Sequence, residues 1–240
     1  FIIGTGANAL NENIELMKHS LSNGIDRFLL MPPAYYKYGD EGAYSFYANV
    51  IQKVPESKII LYNFEKLSGY KFSINIIEKL VKDFPKQILG AKDSSYNLYE
   101  KLKIPNFLIF PGSETKLLKG LELGCSGIIS AVCNVTASLS RKVYDDFHNK
   151  KQQTLNGRLC AIRKIFDKNI CNCLERKISF SLFREGWFDW FIAMFCCNKM
   201  VFSIIQAIRV YSLSKEWLNK RASVSMETRK ICLCSANFVK

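Results

Sequence analysis

Across the first 168 residues, short apolar runs alternate with longer segments in which apolar positions recur at helical spacing. Residues 1–3, all apolar, lead into Gly4-Thr5-Gly6-Ala7-Asn8, and in residues 11–23 Ile14, Met17 and Leu21 mark one helical face that stops at Gly24. The unit then repeats. Strands are predicted over residues 27–31, 58–62, 87–92, 106–110 and 127–132, and helices over 41–53, 74–82, 98–102, 116–123 and from 137 toward 168. Residues 63–71 read as a loop, and Pro32-Pro33 and Pro111-Gly112 close their strands. Six strands alternating with helices predict parallel βαβ units, which build either a doubly wound sheet or a (β/α)8 barrel. If the fold is a barrel, the pattern is short of its first two βα units. In both architectures ligands bind beyond the carboxyl ends of the strands. Those ends carry Tyr35, Tyr36, Tyr62, Lys92, Gly112, Ser113 and Asn134.

Composition narrows the picture. The chain has 240 residues, 48% of them hydrophobic, enough for one sizeable core. It begins at Phe1 without a signal-peptide pattern, and this residue is not expected to be the natural start. The net charge of +13 is spread along the chain rather than gathered into an arginine stripe. That favours small anions over a nucleic-acid partner. Nine cysteines, an odd count, point to reduced thiols and a cytoplasmic location. None forms a CxxC pair, and the two histidines, His19 and His148, are far apart, so no metal site is expected. Gly4-Thr5-Gly6 lacks the third glycine of a dinucleotide fingerprint.

The candidate chemistry centres on Lys92. An apolar run, Ile88-Leu89-Gly90-Ala91, delivers its amine to a strand end. Among apolar walls, desolvation disfavours the ammonium and frees a lone pair for attack on a carbonyl. The alternative is a strand-terminal lysine reaching into water. Tyr62 lies thirty residues earlier, one strand-helix-strand period, and also closes its strand. Adjacent parallel strands lie about 4.8 Å apart, so the amine and the phenol can converge on one small substrate, with the phenol moving protons.

Six blocks, in order, resemble one family. They are Gly4-Thr5-Gly6-Ala7-Asn8, Pro33-Ala34-Tyr35-Tyr36, Ile60-Leu61-Tyr62-Asn63, Gly90-Ala91-Lys92-Asp93-Ser94-Ser95, Pro111-Gly112-Ser113-Glu114 and Gly127-Ile128-Ile129-Ser130. The chain is similar to the dihydrodipicolinate synthase and N-acetylneuraminate lyase family over residues 1–168. The resemblance implies a (β/α)8 TIM barrel lacking its first two βα units, and a homo-oligomer, dimer or tetramer, of class I aldolase type. The implied substrates are pyruvate or a related 2-keto acid and an aldehyde. No cofactor beyond a covalent Schiff base at Lys92 is implied, and no nucleic acid or membrane partner. By the same resemblance Tyr62 is the proton relay. Tyr36 is the second tyrosine of a pair that in the synthases reaches across a dimer, and Gly112 and Ile129 line the keto-acid pocket.

The chain departs from the family pattern in three places. The family's Gly-Thr-Thr-Gly-Glu block, whose donors bind the keto-acid carboxylate, would precede Phe1. Leu67 stands where the synthases place an arginine, with Lys66 beside it. The Leu67-Ser68-Gly69 run is similar to the sialic acid lyase branch, which favours an aldolase or lyase over 4-hydroxy-tetrahydrodipicolinate synthase. Finally, the pattern fails after Lys168. Residues 169–240 hold all three tryptophans and six of the nine cysteines, and are expected to be a helical extension or a frameshift-like tail. Within 187–210, Asp189, Lys199 and Arg209 keep every uncharged run short of the roughly 18 residues a membrane span needs. An inactive fragment of such an enzyme is the remaining alternative.

Overall fold

The computed structural model describes the backbone of residues 1–175 and side chains through residue 168. Elements follow the order β1 (Ile3–Gly4), α1 (Leu10–Ser22), β2 (Arg27–Leu30), α2 (Asp40–Lys53), β3 (Lys58–Asn63), α3 (Glu65–Ser68), α4 (Ile74–Asp83), β4 (Ile88–Asp93) and β5 (Leu108–Pro111). A 3-10 turn at Glu114–Lys116 then opens α5 (Leu117–Glu122), followed by α6 (Cys133–His148) and α7 (Asn156–Glu175). Described residues up to Leu159 form one compact unit, and those from Cys160 belong to a second. The described part of the second is helical, with Arg163 Nε bonded to Asp167 Oδ1 at 2.8 Å one turn on. The expected tail from residue 169 lies outside the described residues except for the end of α7.

The five strands are all parallel and lie in the order β1-β2-β3-β4-β5. A doubly wound sheet reverses its strand order at a switch point, whereas sequential order with every crossover in one direction is the topology of a barrel wall. One face of the sheet is packed beneath the helices. Phe28, Leu30, Ile59, Leu61, Ile88, Ala91 and Ile109 meet Met17, Tyr47, Val50, Ile77 and Leu80 there, in the main core. The other face holds a smaller cluster, Ile2, Ile60, Phe110 and Ile129, flanked by Leu29 and Leu108. Gly90 belongs to the tight β4–β5 seam: a Cβ there would lie 2.2 Å from the Leu108 carbonyl oxygen.

Helix α4 shows how local sequence sets an element. Ser73 caps it by accepting from the Ile76 amide at 3.2 Å, and Ile76, Ile77 and Leu80 supply its buried face. Ser73 also donates to Asp40 at the start of α2, and Tyr70 donates to the other oxygen of the same carboxylate at 2.7 Å. Burial, then the bond to Asp40, pushes the Tyr70 phenol far above its ordinary value, and burial pushes Tyr38, stacked on it, up to about 12. Asp40 thereby ties the amino ends of two helices together at the carboxyl rim of the sheet.

Four expected elements differ. Residues 98–102 form one turn rather than a helix: the Asp93 carboxylate accepts from the Leu98 and Tyr99 amides, the Leu102 amide returns to Leu98 O, and Pro105 follows too closely for a second turn. The expected sixth strand, 127–132, is irregular. Ser126 N donates to Ile109 O and Ile129 N to Pro111 O, so three residues advance against two and the ladder cannot continue. The loop after β3 contains α3, closed by Gly69 at φ 74°. The long helix from 137 is two helices, α6 starting earlier and ending before Lys150, which sits at φ 54°.

Candidate active site

Parallel pairing places Tyr62 opposite Lys92 and Asn63 opposite Asp93. Because strand side chains alternate, Tyr62 and Lys92 share the sheet face of Ile60 and Phe110, while Asn63 and Asp93 point into the helix-covered side. Lys92 pairs on its other flank with Phe110, and its Nζ lies 4.0 Å from the centroid of the Tyr62 ring. That is a cation–π contact, which holds a protonated amine on the phenol's face. Both side chains are half-buried. The Tyr62 ring also stacks with Phe64, centroids 6.0 Å apart at an interplanar angle of 27°.

The other predicted residues spread outward from this pair. Gly112 follows β5 and donates its amide to Asp93 O at 3.0 Å. The approach is close: a Cβ there would displace Ser94 Oγ, 2.3 Å away, and lie 3.0 Å from Ser94 Cβ and 3.1 Å from its Cα. Ile129 is buried against Phe110 and Ile60, on the face that carries Tyr62 and Lys92. Leu67 is half-buried in α3, and Lys66 beside it is exposed. The α3 turn is fixed to the β4 loop by the Glu65 amide, which donates to Ser95 Oγ at 2.8 Å. Tyr36 is 76% exposed and packs edge-to-face on Tyr35 at 4.9 Å. The structure thus brings Tyr62, Lys92 and Ile129 to one face with Gly112 beside them, and puts Tyr36 at the surface.

Sequence reading passed over two buried carboxylates. Asp93 is fully buried and accepts from Asn63 Nδ2 (2.8 Å) and from the Leu98 and Tyr99 amides (2.8 and 3.0 Å). Glu114, also fully buried, accepts from Ser130 Oγ at 2.8 Å and from Thr136 Oγ1 at 3.4 Å. Burial, reinforced by this carboxylate, pushes the Cys133 thiol up to about 12. The available signal was position alone: each acid sits within two residues of a predicted site residue. Among the described residues no group of three or more His, Cys, Asp or Glu side chains could hold a metal ion. Among them, too, no helix is long and apolar enough to cross a membrane.

Comparison with known proteins locates this geometry in a family. The family model described as the dihydrodipicolinate synthetase family matches residues 1–188. A 4-hydroxy-tetrahydrodipicolinate synthase from Hydrogenobaculum sp. is 35% identical over 136 residues, covering 55% of this chain and 46% of that protein. A 2-dehydro-3-deoxy-D-gluconate/2-dehydro-3-deoxy-phosphogluconate aldolase from Picrophilus torridus is 28% identical over 193 residues, covering 78% of this chain and 68% of its own length. Among solved structures, YagE, a prophage protein of the dihydrodipicolinic acid synthase family from E. coli K12 in complex with pyruvate, superposes with a TM-score of 0.63. That match covers 69% of this chain and 59% of YagE at 24% identity, and shows a common fold. The chain spans about half the length of the first curated relatives it matches. With its sequential parallel sheet and a family match across most of its length, the chain belongs to the dihydrodipicolinate synthetase family.

Proposed function

We propose that the chain carries the imine-forming part of a class I aldolase or lyase acting on pyruvate or a related 2-keto acid. The observation that carries this reading is the registered pair: Lys92 opposite Tyr62, with the amine 4.0 Å from the ring centroid. The Tyr62 ring face orients the Lys92 side chain, and the attacking form is the neutral amine, its proton released to water. Its lone pair then adds to the ketone carbon, giving a carbinolamine. Loss of water leaves the imine, with the Tyr62 hydroxyl supplying and recovering the protons. The protonated imine accepts the electron pair of the bond between its α and β carbons: the β-hydroxyl loses its proton, the aldehyde leaves, the enamine is protonated at the α carbon, and water hydrolyses the imine to return the lysine. Gly112 and Ile129 form the wall beside the reacting carbon. The exposed Tyr35–Tyr36 pair suits contact with a second copy in a dimer or tetramer.

A second reading, 4-hydroxy-tetrahydrodipicolinate synthase, is favoured by the 35% identical relative of that name. Leu67 opposes it, since a leucine gives an acidic aldehyde no charge-assisted bond. The test is incubation with pyruvate and borohydride followed by peptide mapping. Reduced adduct confined to Lys92 supports the proposal, and an aldehyde screen, acidic against sugar-like, then separates the two readings. Folded protein that traps nothing would overturn both and leave an inactive fragment.

A further inference from the structure

We infer that Asn63 and Asp93 are positioning residues that hold the Lys92 amine over the Tyr62 ring by locking the register of β3 against β4. The inference builds on the imine chemistry proposed above. Asn63 and Asp93 are each the next residue along the strand from Tyr62 and Lys92, and they face each other in the same register. Both are fully buried, on the side of the sheet opposite the amine and the phenol. Their polar atoms are used completely. Asn63 Nδ2 donates to Asp93 Oδ1 and to Asn97 Oδ1, both at 2.8 Å, while Asn63 Oδ1 accepts from the Phe72 amide at 3.2 Å. Asp93 Oδ2 takes the Leu98 and Tyr99 amides, and Asn97 Nδ2 donates to Phe72 O at 2.9 Å.

A slip of β4 by one residue against β3 would strip this carboxylate and this amide of their partners where both are fully buried, a costly place to leave them unpaired. The buried apolar residues of β3 and β4 already oppose such a slip, which would turn each side chain to the other face, and the polar pair adds to that the cost of two unsatisfied buried groups. The network therefore sharpens the alignment that the hydrophobic pattern sets. It also extends beyond the strands. Through Asn97 and Phe72 it joins the turn after β4 to the segment leading into α4, so two strand ends and two loops move as one body. The amine and the phenol on the opposite face inherit that alignment, and about 1 Å of misplacement between reacting groups is worth roughly a hundredfold in rate.

The test compares wild type, Asp93→Asn, Asn97→Ala and the reciprocal double variant Asn63→Asp/Asp93→Asn. Asp93→Asn sets an amide donor against other donors. The exchange restores the cross-strand bond with donor and acceptor reversed. Two readouts are taken on protein whose fold is checked by circular dichroism: the limiting rate of pyruvate trapping at Lys92, and reductive methylation of Lys92 by formaldehyde and borohydride relative to Lys18 and Lys142. The expected result for Asp93→Asn is about a hundredfold slower trapping, with altered Lys92 methylation and unchanged Lys18 and Lys142. Asn97→Ala lies in the same direction with a smaller effect, and the exchange recovers only the part due to the cross-strand bond, because a carboxylate at position 63 cannot donate to Asn97 Oδ1. A purely structural role would lower the melting temperature and leave the relative methylation of Lys92 unmoved. Wild-type behaviour of Lys92 in folded Asp93→Asn or Asn97→Ala, or an exchange no better than the single variant, overturns the inference. If Asp93→Asn does not fold, Asn97→Ala and the exchange decide it. Wild type that traps no pyruvate counts against the proposed function alone, and the methylation comparison still decides the positioning role.

Discussion

Gly90→Ala tests the β4–β5 seam on which the placement of Lys92 depends. The added methyl would lie 2.2 Å from the Leu108 carbonyl oxygen and 2.8 Å from its Cβ, and the first of these is backbone that no rotamer change relieves. Reaching even a tight contact of 3.0 Å requires the strands to part by about 0.8 Å. A backbone bond of ~2.9 Å stretched by that amount passes the limit of a hydrogen bond. Losing two such bonds, at ~1 kcal/mol each, together with the ~1–3 kcal/mol of overpacking, gives a destabilisation of about 3 to 5 kcal/mol. With a urea slope of ~2 kcal/mol per M, the unfolding midpoint is expected to fall by roughly 2 M. Gly24→Ala is the internal control. Gly24 sits at φ 76° with nothing within 4 Å of the added atom, so only backbone strain is charged. That strain is about 1 kcal/mol, or a midpoint shift of roughly 0.5 M. Equal shifts in the two variants would refute the close-contact argument. So would wild-type trapping at Lys92 in a Gly90→Ala protein that keeps its midpoint.

Three further outcomes are expected. Tyr62→Phe keeps the ring under the ammonium but removes the proton carrier, so imine trapping at Lys92 should slow by about 10² to 10⁴; an unchanged trapping rate would exclude the relay. Ser73→Ala removes the α4 cap and one partner of Asp40, lowering stability by about 1 to 2 kcal/mol. Ser73→Thr should restore most of it in the same urea titration. Burial raises the Cys125 and Cys133 thiols from 9.0 to about 11 and about 12, and Tyr38 from 10.0 to about 12. The neutral forms are therefore favoured in the folded state, and the unfolded chain loses these protons first. Stability is fully present below pH ~9 and declines as pH rises toward ~12. The midpoint measured against pH should be flat near neutrality and fall through that window. A rise with pH would contradict the buried placement.

Much of the site was legible because two periods coincide in it. Apolar runs at 58–62 and 87–92 are separated by one βαβ repeat, so Tyr62 and Lys92 had to end neighbouring strands. Which face Lys92 occupies was not legible. Counting by twos from Ile88, which lies in the helix-covered core, puts Lys92 in that core as well. The register shift opposite Ile59 and Ile60 leaves Leu89 as an extra residue and moves the amine to the other face. Nothing in an unbroken apolar run marks a bulge. The turn at 98–102 misled for a related reason. Its leucine spacing is helical and Asp93 accepts from its first amides, yet Pro105 leaves room for one turn only. Gly127-Ile128-Ile129 has the composition of a strand, and only its two uneven bonds to β5 show that it does not continue the ladder.

The sequential strand order has a consequence for how the chain acquires its structure. Among the described residues each strand is bonded only to the strands immediately before and after it in the sequence, so each closure in this sheet joins segments separated by a single crossover. For a parallel sheet this keeps sequence separation, and with it the entropy of closing each loop, near its minimum. A chain emerging from its amino end can add β3 to β2, then β4 to β3, without waiting for distant segments. The middle strands, flanked on both sides, become the most persistent part of the sheet, and hydrogen exchange is expected to find the β3 and β4 amides slowest and those of β1 fastest. The amine and the phenol ride on those middle strands, the part of the sheet expected to open last.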